Sequence, residues 1–292
     1  VTGSASPSYA LVVSYEGYVY KLYPNNTFVR IAHPVTTQLR AVAWKPDGSY
    51  ALIVGDSGVL IKFDGTNFTL IPTGTTANLL SIAWKPDGSY ALTGGYTGVL
   101  LRYDGTTVTQ VADPYTGAYF RAMSWNPSGT QALMVSYSGG IYMYTASTGQ
   151  VTQLVSPTTN DLGAVAWNPN GSYALIGGSR GVVLRYDGTG FQALNTAGVY
   201  NSSLAIRNVS FNPSGSLVLL VGDSGLMLTY NGTSLSAQPV LTSSILYSVS
   251  WNNGTADIVG GMGTTLTYSG GTESSIPSGF NSGFRGIAWK PS

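Results

Sequence analysis

The chain is written in short apolar runs. "YALIVG" (Tyr50–Gly55), "YALTGG" (Tyr90–Gly95), "YALIGG" (Tyr173–Gly178) and "LVLLVG" (Leu217–Gly222) are almost wholly apolar, and each stops at a polar, glycine-bearing turn. An apolar run of that length predicts a β-strand buried on both faces. Beside each run lie mixed segments such as "VLIKF" (Val59–Phe63) and "NFTLI" (Asn67–Ile71). The pairs Asp64-Gly65, Asp104-Gly105, Asp187-Gly188 and Asn231-Gly232 join them as hairpin turns. No stretch sustains a 3.6-residue period, so the pattern predicts an all-β chain.

The pattern repeats. "WKPDGSYAL" stands at Trp44–Leu52 and, unchanged, at Trp84–Leu92. Near-copies begin at Trp125, Trp167, Phe211 and Trp251, and the chain ends on "WKPS" from Trp289. Successive starts lie 40, 41, 42, 44, 40 and 38 residues apart. That spacing is the length of one four-stranded propeller blade. In the first copy Arg40–Trp44 is the inner strand, Tyr50–Gly55 the second, Val59–Phe63 the third and Asn67–Ile71 the outer one.

The final copy breaks off after its inner strand, and its continuation is at the other end. Residues 7–20, "PSYALVVSYEGYVY", match "GSYALIVGDSGVLI" at 48–61. The expected fold is therefore one seven-bladed β-propeller over residues 1–292. Its last blade is made from about 285–292 plus 7–32, with the C-terminal inner strand pairing with the N-terminal strands. Closing the ring this way leaves no free strand edge at the joint.

Composition narrows the function. Charged residues are 9% of the chain, against roughly 25% in ordinary soluble domains. Net charge is +1, which leaves no nucleic-acid footprint. There is no run of 18 apolar residues and hence no expected membrane-spanning helix. Cysteine is absent and His33 is the one histidine, which excludes thiolate metal sites and a Ser-His-Asp triad. No cofactor and no metal is expected.

One repeat position carries charge. Four residues before each core aromatic stand Arg40, Leu80, Arg121, Gly163, Arg207, Tyr247 and Arg285. This position opens the inner strand, at the top mouth of the central channel. The turns after the second strands add Tyr15, Glu16, Asp56, Tyr96, Tyr137 and Asp223, and the loops between blades add Tyr115, Tyr119, Phe120, Tyr200, Phe280 and Phe284. Guanidinium forks clamp carboxylate, sulfate or phosphate, and flat rings stack on sugars or side chains. The plain alternative is that these arginines pair with turn acids as struts between blades. Glu16, Asp56 and Asp223 are the acids available, which makes Arg121 and Arg207 the best candidates for ligand contact, although Asp223 can engage Arg207. Lys21, Lys62, Arg102 and Arg185 share a third-strand position and are expected on a solvated outer face.

Sequons stand at Asn25, Asn67, Asn170, Asn201, Asn208, Asn231 and Asn253. All but Asn201 and Asn208 fall at turns of the bottom face. Asn208 lies inside an inner strand, so no glycan is expected there. Asn-Gly-Thr is good turn chemistry in its own right; the sharper reading is a secreted glycoprotein with a sugar-coated bottom.

The segments "VGDSGVLIKFDGTNF" (Val54–Phe68) and "VGDSGLMLTYNGTSL" (Val221–Leu235) resemble photosystem II assembly-factor-like propellers and, more loosely, WD-repeat-like surface propellers. The resemblance implies a propeller that binds partners. No Trp-Asp dipeptide ends a third strand and no Gly-His opens a blade, so the chain departs from true WD repeats. The resulting expectation is a non-catalytic, extracellular binding or assembly module of a cell surface, working through its top face on a protein or glycan partner. The alternatives are a lectin or small-anion binder, and a glycosidase or lyase acting on an acidic carbohydrate.

Overall fold

The computed structural model describes residues 8–111, 115 and 117–291. Pro7 and Ser292, at the ends of the expected closing blade, lie outside them. Seven four-stranded antiparallel sheets form a ring. Blade 1 is Leu39–Trp44, Ala51–Gly55, Leu60–Phe63 and Phe68–Leu70, counted from the channel outward. Blades 2 to 6 follow with inner strands Leu79–Trp84, Ala122–Trp125, Leu162–Trp167, Ile206–Phe211 and Leu246–Asn252. Blade 7 joins Phe284–Trp289 to Ala10–Ser14, Val19–Leu22 and Phe28–Ile31. Its register, Ala10 opposite Trp289 and Val12 opposite Ile287, is the expected closure. The inner strand of blade 7 also packs on that of blade 1.

The apolar runs become second strands sandwiched between neighbouring blades. In Ala10–Ser14, Ala51–Gly55 and Val218–Gly222 every residue is buried. Each large aliphatic side chain so placed contributes about 1.5–3 kcal/mol. The turn after the second strand needs glycine for a steric reason. Gly58 has φ +70, and a Cβ there would lie 1.9 Å from the Thr75 carbonyl oxygen of the inter-blade loop.

Four blade interfaces share one device. The tyrosine before the second strand packs edge-on against the core aromatic of the next blade. The pairs are Tyr9–Trp44, Tyr50–Trp84, Tyr90–Trp125 and Tyr173–Phe211, with centroids 5.7, 5.4, 5.5 and 5.6 Å apart. Over the same tyrosines lie Lys21, Lys62, Arg102 and Arg185, at 4.4, 4.2, 4.2 and 4.5 Å from the ring centres. This corrects the expectation of a solvated outer face: these cations are half-buried and lie, within their own blade, over the tyrosine that packs on the next blade, each contact worth about 0.5–1 kcal/mol. Blades 3, 5 and 6 lack the tyrosine, and there the cation is replaced by Met143, Thr229 and Thr267.

The closing interface is held differently. Asp257 occupies the second-strand position that is leucine in the other six blades, and it is 4% exposed. Its Oδ2 accepts the indole N–H of Trp289 at 2.7 Å, tying blade 6 to the C-terminal strand. Burial raises its pKa to about 6, against a smaller lowering by that hydrogen bond.

Candidate functional site

The top mouth is built on β-bulges. Strand register slips between Leu39 and Ala41, Leu79 and Ser81, Leu162 and Ala164, Ile206 and Asn208, and Leu246 and Ser248. It slips again where Arg285 falls between Phe284 and Gly286. The skipped residue in every case is the repeat position that carries arginine in four blades. A bulge leaves its extra residue out of the ladder and re-aims the side chain. Here it delivers Arg40, Leu80, Gly163, Arg207, Tyr247 and Arg285 to the channel. Arg121 reaches the same rim without a slip; its N–H bonds the Val135 carbonyl at 2.9 Å. All seven line one cavity of about 330 Å³.

Two residues further along each inner strand the lining turns aliphatic. Val42, Ile82, Met123, Val165, Val209, Val249 and Ile287, one per blade, border the cavity there, and all but Ile82 are at most 8% exposed. At a strand rise of about 3.3 Å per residue this ring lies roughly 6–7 Å below the arginines. The mouth therefore has a cationic rim, with Ser81, Asn208, Ser210 and Ser248 lining the cavity beside these nearly buried aliphatics.

The four arginines have two fates. Arg40 forks onto Asp56, Nε to Oδ1 at 2.7 Å and Nη2 to Oδ2 at 2.9 Å, with Gln38 Oε1 accepting a further bond at 2.6 Å. Arg207 forks onto Asp223 at 2.7 and 3.0 Å. In both, burial works against the charge but is outweighed by the carboxylate's hydrogen bonds and charge, so each guanidinium pKa is raised. Arg121 meets a phenol instead: its Nη1 donates to Tyr137 Oη at 2.8 Å, and the guanidinium stands 5.1 Å from that ring's centre. Arg285 lies between two rings, 3.9 Å from the centre of Tyr247 and 5.0 Å from Tyr15, and its buried Nε has no partner. Among the described residues the remaining ion pairs are Lys45–Asp47 and Lys85–Asp87, on the bottom face, so neither Arg121 nor Arg285 has a carboxylate.

Of the residues expected at the mouth, Arg40, Arg121, Arg207, Arg285 and Tyr247 line the cavity, and several others have different surroundings from those expected. Arg207 is neutralised by Asp223, and Arg285, not Arg207, joins Arg121 as an uncompensated cation. Glu16 does not serve the rim; both its oxygens accept the N–H of Gly283, at 3.0 and 3.1 Å. Tyr15 holds the place that Asp56 holds in blade 1. Phe120 and Phe284 are fully buried core residues, and Phe280 packs on Tyr20 at 4.7 Å, so these rings do not form the rim. Tyr115 packs on Tyr142 at 5.0 Å. Tyr96, Tyr119 and Tyr137 do gather, with Tyr119 5.0 Å from Tyr96 and 5.4 Å from Tyr137. Tyr200 is half-buried, and its enclosed hydroxyl has no partner. The sequons Asn25, Asn67, Asn170, Asn201, Asn231 and Asn253 are exposed, whereas Asn208 is half-buried in the channel wall. The Asn25, Asn170, Asn201 and Asn231 side chains accept backbone N–H bonds within their own turns, the local chemistry that also explains their placement.

Asp56 and Asp223 stand in blades 1 and 5, each gripped by its own arginine. His33 sits in the loop leaving blade 7, against Phe68 with ring centroids 5.7 Å apart. The rim offers guanidinium donors, phenol hydroxyls and ring faces. Among the described residues no helix is long and apolar enough to cross a membrane.

No protein-family model and no curated protein matches the sequence. Solved structures do match in shape. The crystal structure of the Myceliophteria thermophila Cps50 (Swd1) β-propeller domain superposes with TM-score 0.68 at 13% identity, covering 86% of this chain and 90% of that one. A structure of YCF48 bound to D1 peptide superposes with TM-score 0.72 at 16% identity, covering 90% and 89%. With the strand closure between Phe284–Trp289 and Ala10–Ser14, these likenesses establish the chain as a seven-bladed β-propeller of the architecture shared by WD-repeat and photosystem II assembly-factor propellers.

Proposed function

We propose that this protein is a non-catalytic binding module that holds an anionic partner at the top mouth of its channel, in an extracellular or cell-surface assembly. The observation that carries the reading is the pair of mouth arginines, Arg121 and Arg285, without carboxylates. At the same repeat position Arg40 and Arg207 are each matched by an acid. An open cationic rim suits a partner that brings negative charge with it. YCF48, a propeller of the same architecture, has been seen with a peptide bound, which favours a protein partner over a free solute. The exposed sequons and the scarcity of charge favour the cell exterior.

The test is recovery of the protein from its source cells. Wild-type chain should co-purify with a larger assembly, and the Arg121→Gln/Arg285→Gln double variant should come away alone with its melting temperature nearly unchanged. A double variant that remains in the assembly would place the interface elsewhere. Glycopeptide mass spectrometry of the same material bears on location, with occupancy expected at the bottom-face sequons and none at Asn208. Uniformly bare asparagines would remove that support.

A further inference from the structure

We infer that the anionic group held at the mouth is borne on a sugar, a pyranose carrying a carboxylate or sulfate, with its acid at Arg121 and Tyr137 and its hydroxyls at Asn208. The inference rests on the reading above and names the chemistry of the partner's group, an acidic glycan.

Asn208 departs from its repeat position without a structural partner. The residue after the rim position is Ala41, Ser81, Ala122, Ala164, Ser248 and Gly286 in the other six blades. Neighbouring inner strands approach closely there: a Cβ at Gly286 would lie 3.3 Å from the Ala41 Cα. The two serines are used between blades. Ser81 Oγ donates to the Phe120 carbonyl at 3.0 Å, and Ser248 Oγ accepts the Ile287 N–H at 3.3 Å. Asn208 alone carries an amide. It is half-buried in the cavity wall, and that amide makes no hydrogen bond among the described residues. Two N–H donors and a carbonyl acceptor therefore face whatever enters.

Arg121 and Asn208 line the same cavity from blades 3 and 5, and Gly163 of blade 4 sets no side chain between them. Tyr137 Oη accepts from Arg121 Nη1, so the phenol hydrogen is free to donate to an anion that the other guanidinium N–H groups hold. Arg285, against Tyr247 in blade 7, adds positive charge across the opening and acts through its field.

The cavity decides what bears the anion. At about 330 Å³ it is at the small end of ligand pockets, roughly 300–1,000 Å³, and admits one ring-sized group. Its aliphatic residues are nearly buried, so no pocket stands open for an apolar side chain. What faces the opening beside the arginines is polar, with Ser210 in line below Asn208. A pyranose has hydroxyls around its edge, each a donor and an acceptor. A peptide end has polar groups along its backbone only, and an inorganic anion leaves Asn208 unused.

The probes are methyl glucuronide and glucose 6-sulfate, titrated calorimetrically into the full chain beside methyl glucoside, triglycine and inorganic sulfate. At least one acidic sugar should bind saturably, and methyl glucoside at least tenfold more weakly. Arg121→Gln should weaken the acidic sugar roughly tenfold, the equivalent of about 1.4 kcal/mol. Asn208→Ala, the residue of three other blades, should weaken it about fivefold and leave inorganic sulfate unaffected. Lys45→Gln on the bottom face should change nothing, and melting curves confirm that each variant is folded. The uronide and the sulfate ester, compared with each other, tell which acid the site takes. Absence of saturable binding by either acidic sugar, while the native assembly still requires Arg121 and Arg285, would overturn this inference and leave the broader reading standing. So would triglycine or inorganic sulfate that binds as tightly as the sugars, or acidic-sugar binding indifferent to Asn208→Ala. An Arg121→Gln/Arg285→Gln variant that keeps both the sugar and the assembly would overturn both.

Discussion

Arg40 and Arg207 do one job, and Arg121 and Arg285 do another, although all four hold the same place in the repeat. The difference lies in one residue at the turn after the second strand. Where that residue is Asp56 or Asp223 the guanidinium is forked and its charge is balanced by the carboxylate. Where it is Tyr137 or Tyr15 the guanidinium lies against a ring and keeps its charge. In the blades without arginine the same turn position is Tyr96, Ser179 or Gly261. Acid appears only under arginine, and under only two of the four. The repeat thus supplies a mounting point, and each blade's turn decides whether the mounted cation meets a carboxylate or a ring.

The bluntest way to break this comparison is to open the ring that holds both kinds of arginine together. Deleting residues 284–292 removes the inner strand of blade 7 with its buried Phe284 and Ile287. A loss of more than about 5 kcal/mol is expected, at the far end of what single changes produce, or aggregation through the exposed edge. Thermal unfolding and light scattering would show it; a truncated chain as stable as the parent would contradict the closure.

Single replacements separate the two classes. Arg207→Gln leaves Asp223 half-enclosed without its fork and should cost about 1–3 kcal/mol, which lowers the melting temperature by several degrees. Arg121→Gln loses one phenol bond and one cation–π contact and should cost about 1 kcal/mol or less. Equal costs for the two would show that the classes do not differ.

Exchanging the turn residue should exchange the role. Tyr137→Asp gives Arg121 the partner that Arg207 has, so the chain should be at least as stable and bind its anionic partner more weakly. Asp223→Tyr should have the opposite signs. Chemical denaturation and partner titration of the two variants measure both quantities.

The pH dependence of stability should come from elsewhere in the ring. Asp257, raised to about 6 by burial, binds a proton more readily folded than unfolded. Its contribution is full below its unfolded value of about 4 and is lost as pH rises through 6. Glu273, also raised by burial, to about 7, acts in the same direction. Asp47, Asp64, Asp87, Asp104 and Asp187 are lowered; hydrogen bonds from within their own turns contribute in each, with the Lys45 and Lys85 side chains the largest cause at Asp47 and Asp87. Their contribution is lost as pH falls below about 4. Melting temperature should therefore peak near pH 4, and Asp257→Asn should flatten the decline from pH 4 to 7 by an amount on the order of 2–3 kcal/mol. Mouth variants compared at one pH are free of this slope.

What the sequence made legible follows from period. Trp44, Trp84, Trp125, Trp167, Trp251 and Trp289 counted the blades, and the match of 7–20 to 48–61 found the closure. Arg40, Arg121, Arg207 and Arg285 were visible once the copies were aligned. The pairing was less so: Asp56 and Asp223 follow their arginines by the same interval as Tyr137 follows Arg121, yet interval alone cannot say that Glu16, one residue from Tyr15, turns to the Gly283 N–H. The bulge that re-aims the arginines is a backbone slip with no residue signature of its own. Asp257 was findable as an acid in a column of leucines, and Lys21, Lys62, Arg102 and Arg185 as cations that keep company with Tyr9, Tyr50, Tyr90 and Tyr173. Both signals emerge only when blades are compared with one another.

The measurement that bears most directly on a working top mouth is site-specific photo-crosslinking in the source cells. A photoreactive residue at Leu80, on the rim, and another at Ser128, in a bottom turn, would report which face meets the partner. The expected result is one discrete crosslinked partner from Leu80, none from Ser128, and loss of the Leu80 product when Arg121 and Arg285 are both glutamine. A partner captured from Ser128 alone, or a Leu80 product indifferent to the two arginines, would contradict the claim.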